Sequence, residues 1–539
     1  MRMKRMQEGF FYLLLCCAML AGCGEASRDS ELQFWSKPKA YDWHKNLSIR
    51  SFDGTVLKAQ LMTPNPQVFP GARPAVIFVN SWTLNEFEYT AQALRLAEKG
   101  YIVLSYATRG FGGSGGVVSA ASPNDIRDVS HLIDWLGERT NLDPSKIGMS
   151  GVSYGGGISL LALAHDERIA TVVALSGWAD LEQALYGDET IRKVWIELLI
   201  GSGAVTGRLD PDFINIYRSV RSQTDLEYFS SWAEERSAIH LVDRINERQA
   251  PIFMANNYDD QLFPPNQMWR FFEKLTGPKK FVVNQGIHAS AEIGGILGLP
   301  SRIWDDTIRW FDYWLYEDNN GIFDEEPISM ERNGRLEFFQ DLPRMQNQDV
   351  NVNPLNRIQR ARDASVIDLD GFIPVRGGRD SGATSGIPIL SSIIDAHTPM
   401  PIRKKISRVN QNHGAIYQSE RLQRSMQLRG MPRVELWLKP KSHHIQLAAY
   451  LYQVDWRGWG ELLTHGVMSL RNLPQDDEPF LVEFDLNTLS ENVNRGQRLT
   501  LVIDTIDPLY EPTARNEGTF DLLHGGEFRT KLYVPDMSF

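Results

Sequence analysis

Cysteine is nearly absent from this 539-residue chain: there are three, Cys16, Cys17 and Cys23, and none comes later. Because Cys16 and Cys17 fall inside an N-terminal leader, the exported protein has no pair for an internal disulfide, and an oxidising compartment brings no risk of mispairing. A basic stripe is also missing. The formal net charge is −11, which excludes nucleic acid as a partner. Metal-ligand spacing is lacking too: the acidic run Asp476-Asp477-Glu478 has no companion ligands and reads as a solvated turn, so neither a metal nor a cofactor is expected. The apolar run Phe10 to Leu20 is too short to stay in a bilayer as a spanning helix. What is left is a chain with 42% hydrophobic and 23% charged residues, globular in composition and long enough for two or three domains.

The leader has a basic start, that short apolar run, and then Leu20-Ala21-Gly22-Cys23. Small residues before a cysteine resemble a bacterial lipoprotein signal, with residues 1–22 removed and Cys23 lipidated; secretory cleavage after Gly22 is the alternative. Gly24, in place of Asp, resembles lipoproteins passed to an outer membrane. The expected location is therefore a bacterial membrane, on its periplasmic or outer face.

The most informative stretch present is Gly151-Val152-Ser153-Tyr154-Gly155. It follows a short apolar strand, Lys146 to Ser150, and leads into a helical run of small and apolar residues from Gly156 to Ala164. In that setting a tight turn exposes the serine hydroxyl, and glycines on either side remove side chains that would clash with the crossing backbone. The pattern recurs at Gly112-Gly113-Ser114-Gly115-Gly116, but no helix comes after it, and that copy reads as a flexible loop.

A serine hydroxyl needs a base to take its proton and a carboxylate to orient that base. His288 is the one histidine between Asp260 and Pro327, and it follows the strand-like Phe281-Val282-Val283 through Asn284-Gln285-Gly286. The carboxylate is Asp260 or Asp259, after the strand Pro251 to Ala255; Asp260 is favoured because it stands four residues before Pro264. Serine, acid and histidine in this order are the α/β-hydrolase order. For the oxyanion, the backbone N–H of Tyr154 is one expected donor. A second is expected from Asn80-Ser81-Trp82, either a backbone amide or the Trp82 indole N–H. Trp82 and Trp178 are candidate walls of the substrate pocket.

Strands expected at Ala75–Val79, Tyr101–Tyr106 and Val172–Leu175 alternate with helices over Glu86–Gly100 and Asp125–Arg139, which predicts a doubly wound, mostly parallel sheet. From Asp180 to about Gln249 the chain turns helical and aromatic, as a cap over the nucleophile would. Arg302 to Tyr316 reads as the last amphipathic helix. Later, Val434, Leu436 and Leu438 alternate with Glu435, Trp437 and Lys439, and Leu447, Ala449, Leu451, Leu499, Leu501 and Ile503 keep the same period of two, which means a β-sandwich. The expected divisions are a linker at 24–46, a catalytic domain at 47–328 with its cap at 180–249, a connecting segment at 329–412 and a β domain at 413–539. Trp456 and Trp459 read as a turn packed on the catalytic domain, with a carbohydrate platform as the alternative.

Ser153, Asp260 and His288, the loop Arg109 to Gly116, and Gly430-Met431-Pro432, Thr464-His465-Gly466 and Val502-Ile503-Asp504-Thr505 together resemble the cocaine esterase and X-prolyl dipeptidyl peptidase family, from about Leu47 onward. The resemblance implies an α/β-hydrolase domain with a helical cap, a C-terminal all-β jelly roll, and hydrolysis of esters or amides. It implies Ser153 as nucleophile, Asp260 as acid, His288 as base and Tyr154 as backbone oxyanion donor. Two positions depart from the pattern: Asn80-Ser81-Trp82 stands where cocaine-esterase-like members carry an oxyanion tyrosine, and Ala107 stands where the family has Asp. The expected substrate is a small ester or amide, or a short peptide if the chain is an X-Pro dipeptidyl peptidase with a carboxylate such as Glu86 or Glu88 for the free amine. An inert, glycan-binding surface lipoprotein is the reading from another class. Oligomeric state is not legible.

Overall fold

Strands that lie inside a parallel sheet are covered on both faces, so they read as unbroken apolar runs; strands at an open edge alternate. Both kinds occur here. In the computed structural model, which describes residues 39–341, 346–351, 353–354, 371–387, 401–513, 518–525 and 527–537, the leader and Cys23 lie outside the described residues. β1 (Tyr41–Arg50), β2 (Val56–Pro64), β3 (Arg73–Val79), β4 (Ile102–Tyr106), β5 (Leu142–Val152), β6 (Ile169–Leu175), β7 (Ile252–Asn257), β8 (Lys279–Asn284), β9 (Ile328–Arg332) and β10 (Arg335–Phe339) form one sheet. Their order is β1-β2-β4-β3-β5-β6-β7-β8-β9-β10. Neighbours from β4 through β9 are parallel, with antiparallel pairs at both edges. The sheet thus continues past residue 328 through the β9–β10 hairpin.

Helices α1 (Thr90–Ala97), α2 (Pro123–Arg139) and α3 (Tyr154–His165) connect the first parallel strands. α2 begins where Ser122 and Asp125 cap each other's backbone and Pro123 enters the first turn. α1 is shorter than its apolar pattern suggests, because residues 86–89 turn back so that Glu88 and Tyr89 reach the end of β3. Between β6 and β7 come α4 (Leu181–Tyr186), α5 (Lys193–Thr206), α6 (Pro211–Ser222), α7 (Leu226–Glu234) and α8 (Val242–Glu247), the expected helical insertion. α9 (Pro265–Lys274), α10 (Ser290–Ile296) and α11 (Arg302–Tyr316) complete the catalytic part.

The C-terminal part is all-β. One sheet centres on Arg433–Pro440 and the other on Ile445–Val454 and Arg498–Asp504. Along Arg433–Pro440 the expected alternation holds, with Val434, Leu436 and Leu438 buried and the residues between them partly exposed. Ile445–Val454 differs. Leu447, Ala449 and Leu451 face the β-domain core, while Ala448, Tyr450, Tyr452 and Val454 join the apolar cluster of the catalytic part, so both faces are buried. Polar ties cross the same boundary: Trp269 Nε1 donates to Thr488 Oγ1 at 3.1 Å and Arg192 to the Tyr510 hydroxyl at 3.0 Å. Trp456 and Trp459, in contrast, are 71% and 42% exposed, so their turn is not packed on the catalytic domain.

The loop after β4 that carries the second Gly-x-Ser-x-Gly copy is tied down rather than flexible. Arg109 pairs with Asp128 at 2.7 Å and Asp53 at 2.6 Å.

Candidate active site

β5 ends at Val152 and α3 begins at Tyr154, which leaves Ser153 alone to make the turn, at φ 57° and ψ −113°. A non-glycine residue in such a conformation costs about 1–3 kcal/mol and persists only where its surroundings hold it. They do: the Ser153 N–H donates to the Leu175 carbonyl at 2.8 Å. The flanking glycines are sterically required. A Cβ on Gly155 would lie 2.1 Å from the Val79 carbonyl oxygen, and one on Gly151 would lie 2.6 Å from the Gly155 carbonyl carbon.

This turn places Ser153 Oγ 2.9 Å from His288 Nε2, and His288 Nδ1 lies 2.7 Å from Asp260 Oδ2. The other oxygen of Asp260 accepts the backbone N–H groups of Leu262 and Phe263, each at 2.9 Å, so the carboxylate is fixed from both sides. Asp260, rather than Asp259, therefore makes the contact with the imidazole. Burial alone draws the His288 pKa down, but the charge and hydrogen bond of Asp260, helped by Glu292, outweigh it, and the pKa is raised. Glu292 is itself buried, accepting from Ser176 Oγ at 2.8 Å.

The donors near the nucleophile sort themselves by what they already bind. Ser81 does not offer its backbone N–H, which donates to Glu88 Oε2 at 2.6 Å. The Trp82 indole N–H does not either, since it donates to the Leu199 carbonyl of α5 at 3.0 Å. The backbone N–H groups of Trp82 and Tyr154 have no hydrogen-bond partner among the described residues. Asn80 shapes the turn that carries Trp82: its amide donates to the carbonyls of Ser81 at 2.8 Å and Leu84 at 3.0 Å, and its oxygen accepts the Thr108 N–H at 2.8 Å.

Aromatic side chains enclose the site. Phe263 lies 5.3 Å and Trp195 6.1 Å from His288 between ring centroids, and Trp82 stands edge-on to Tyr154 at 5.3 Å. α5 forms the roof, coming so close that a Cβ on Gly203 would lie 2.7 Å from the Trp82 ring. Trp178, expected to line the pocket, donates its N–H to the Arg236 carbonyl at 2.8 Å and packs on Phe263 at 5.1 Å, behind the ring that meets His288. Trp195 is the wall that sequence reasoning missed as a site residue, its aromatic character alone giving no sign of which way it faces. Among the described residues no group of three or more His, Cys, Asp and Glu is placed to hold a metal ion.

An α/β-hydrolase sheet with a serine, a histidine and a carboxylate assembled in this way is of the serine-hydrolase type. Residues 53–290 match the model of the X-Pro dipeptidyl-peptidase S15 family, and residues 306–531 match that of the X-Pro dipeptidyl-peptidase C-terminal non-catalytic domain. The chain belongs to this family, which has cocaine-esterase-type relatives. A Bacillus cereus protein provisionally named Xaa-Pro dipeptidyl-peptidase is 24% identical over 266 residues, 44% of this chain and 43% of that protein. The chain thus spans less than half the length of that relative. Among solved structures, a CocE/NonD family hydrolase from Staphylococcus aureus superposes with a TM-score of 0.65 at 14% identity, covering 92% of this chain and 94% of the other. An α-amino acid ester hydrolase does so with a TM-score of 0.66 at 14% identity, covering 94% and 98%.

Proposed function

We propose that this protein cleaves an ester or amide bond of a small substrate through an acyl-enzyme. The observation that carries the reading is the continuous relay from Ser153 Oγ through His288 to Asp260, at 2.9 and 2.7 Å. Ser153 Oγ attacks the acyl carbon while its proton passes to His288 Nε2, and Asp260 holds the Nδ1–H tautomer and steadies the imidazolium. The oxyanion forms against the Tyr154 and Trp82 backbone N–H groups, each such donor contributing about 3–4 kcal/mol to the transition state. On collapse the leaving group takes the proton from Nε2. Water then attacks the acyl ester with His288 as base, and the serine is regenerated.

The aromatic enclosure favours an apolar acyl or leaving group. Trp195 adds a polar handle: its indole N–H is buried without a partner among the described residues and sits beside His288, suited to a substrate oxygen. The names of the relatives favour a second reading, release of X-Pro dipeptides, which requires a carboxylate for the free amine. Of the carboxylates the sequence offers, Glu88 is engaged by Ser81, whereas Glu86 keeps one buried oxygen without a partner among the described residues, and no acid of the cap is singled out. Turnover of short-chain nitrophenyl esters against an X-Pro nitroanilide separates the two; faster release from the anilide would favour the dipeptidyl-peptidase reading, and no release from it would exclude that reading. Fluorophosphonate labelling that vanishes in Ser153→Ala counts against an inert glycan-binding protein. Export and a lipid on Cys23 belong to the same proposal, tested by fatty-acid labelling that Cys23→Ser abolishes.

A further inference from the structure

Three contacts converge on Ser81 Oγ, in the turn that carries Trp82: Glu88 Oε1 at 2.6 Å, the Val152 carbonyl at 3.0 Å and the Tyr89 hydroxyl at 3.1 Å. Each contact needs one hydrogen. A carbonyl can only accept, and so can a carboxylate, so with Glu88 ionised only the Ser81 and Tyr89 hydroxyl hydrogens serve three contacts. Tyr89 oxygen already accepts the Val152 N–H at 2.9 Å, which fixes its place beside the nucleophile strand. The missing hydrogen has one source, the Glu88 carboxyl group. With it, Glu88 donates to Ser81, Ser81 donates to Val152, Tyr89 donates to Ser81, and all three contacts on Ser81 Oγ are satisfied.

We propose that Glu88 is a positioning residue that works as a neutral acid, its proton completing the bonds that tie the Ser81-Trp82 turn to the residue before the nucleophile and keeping negative charge away from the oxyanion. The inference rests on the serine-hydrolase reading and extends it. An ionised Glu88 would lack one hydrogen bond in the clamp and would set a carboxylate behind the N–H groups that receive the developing oxyanion, raising the barrier by repulsion. Burial pushes the Glu88 carboxyl up to about 7, so the neutral form is present below that pH and is lost above it. Around it, Tyr89 is the titratable group that bonds both Ser81 and Glu88; Glu86 is buried with one carboxylate oxygen unpartnered among the described residues, and across the site His288 and Glu292 are bound to Asp260 and Ser176.

The test is the pH profile of kcat/KM on a neutral ester for the intact chain and its variants. The wild type is expected to show a narrow optimum, with an acid limb from His288 and an alkaline limb from Glu88. Glu88→Gln, whose amide supplies the hydrogen without a titrating proton, keeps the acid limb, loses the alkaline one, and exceeds the wild type about tenfold at pH 9. Tyr89→Phe keeps the alkaline limb, because Tyr89 is not the source of the proton. A wild type with no alkaline limb, a Glu88→Gln profile with the limb unmoved, or a folded but inactive Glu88→Gln would each overturn the proposal. If Glu88→Gln does not fold, Ser81→Ala decides: removing the shared oxygen must move the limb, and an unmoved limb overturns the proposal. Infrared difference spectra between pH 6 and pH 9 of Ser153→Ala, less those of Ser153→Ala with Glu88→Gln, report the Glu88 proton without turnover, because the subtraction removes the other buried carboxyls that titrate in that window, Asp504 among them. Failure of the nucleophile assignment, seen as residual activity in that variant, is therefore distinguishable from failure at Glu88.

Discussion

Ser153 and Ser114 occupy the middle of the same five-residue pattern and end in opposite states. Ser153 turns from strand to helix at a strained φ, and its hydroxyl meets an imidazole. Ser114 lies in a loop whose Gly112, Gly113 and Gly116 adopt positive φ, and it is fully buried. Its Oγ donates to the Ala107 carbonyl at 2.7 Å and accepts the Lys58 N–H at 2.8 Å. A hydroxyl satisfied by backbone on both sides has no proton to share with a base. The glycines permit a tight turn in each copy; the element into which the turn leads, helix or loop, decides whether the serine faces a reaction or a hydrogen-bond ladder.

The sharpest way to break that comparison is to remove each hydroxyl in turn. Ser153→Ala is expected to lower kcat/KM on a nitrophenyl ester roughly 10⁵-fold, whereas Ser114→Ala leaves it within about threefold. Asp260→Asn comes next, with a loss of about 10⁴ in kcat, since an amide at that position favours the wrong imidazole tautomer. The glycines extend the contrast to stability. Gly155→Ala would drive a methyl into the Val79 carbonyl at 2.1 Å, and a loss of more than about 3 kcal/mol by denaturant titration is expected; Gly115→Ala meets the Thr55 methyl at 3.2 Å and costs about 1 kcal/mol. Between these two, Ser114→Ala should lower stability by about 1–3 kcal/mol by the same titration, leaving the Lys58 N–H and Ala107 carbonyl unpaired.

Much of this was legible in the sequence where a single period governs. The α11 boundaries, Arg302 and Tyr316, follow from one apolar stripe, and the strands of the parallel sheet follow from runs buried on both faces. Ser153 and His288 were legible because each stands at the C-terminal end of such a run. The proposed second oxyanion donor was not, because it depends on which N–H is left without a partner once Glu88 and Leu199 have taken theirs, a long-range outcome that no local pattern carries. Glu88 itself lies seven residues from Ser81 in a stretch whose apolar spacing reads as helix, and only the turn at 86–89 brings the two together. The β9–β10 hairpin escaped for another reason. Arg335–Phe339 lies half-exposed at the sheet's edge, and Arg335 and Glu337 interrupt its Leu336, Phe338 and Phe339, so it lacks the unbroken apolar run that marks the other strands.

The doubly covered strand Ile445–Val454 has a thermodynamic consequence. Because Tyr450 and Tyr452 lie fully buried in the cluster of the catalytic part while Leu447 and Leu451 anchor the β core, neither half can melt without uncovering the other. Scanning calorimetry should record one cooperative peak for residues 40–539. A truncation that ends before this strand would strip apolar cover from beside the cap, yielding an aggregating fragment instead of a smaller enzyme.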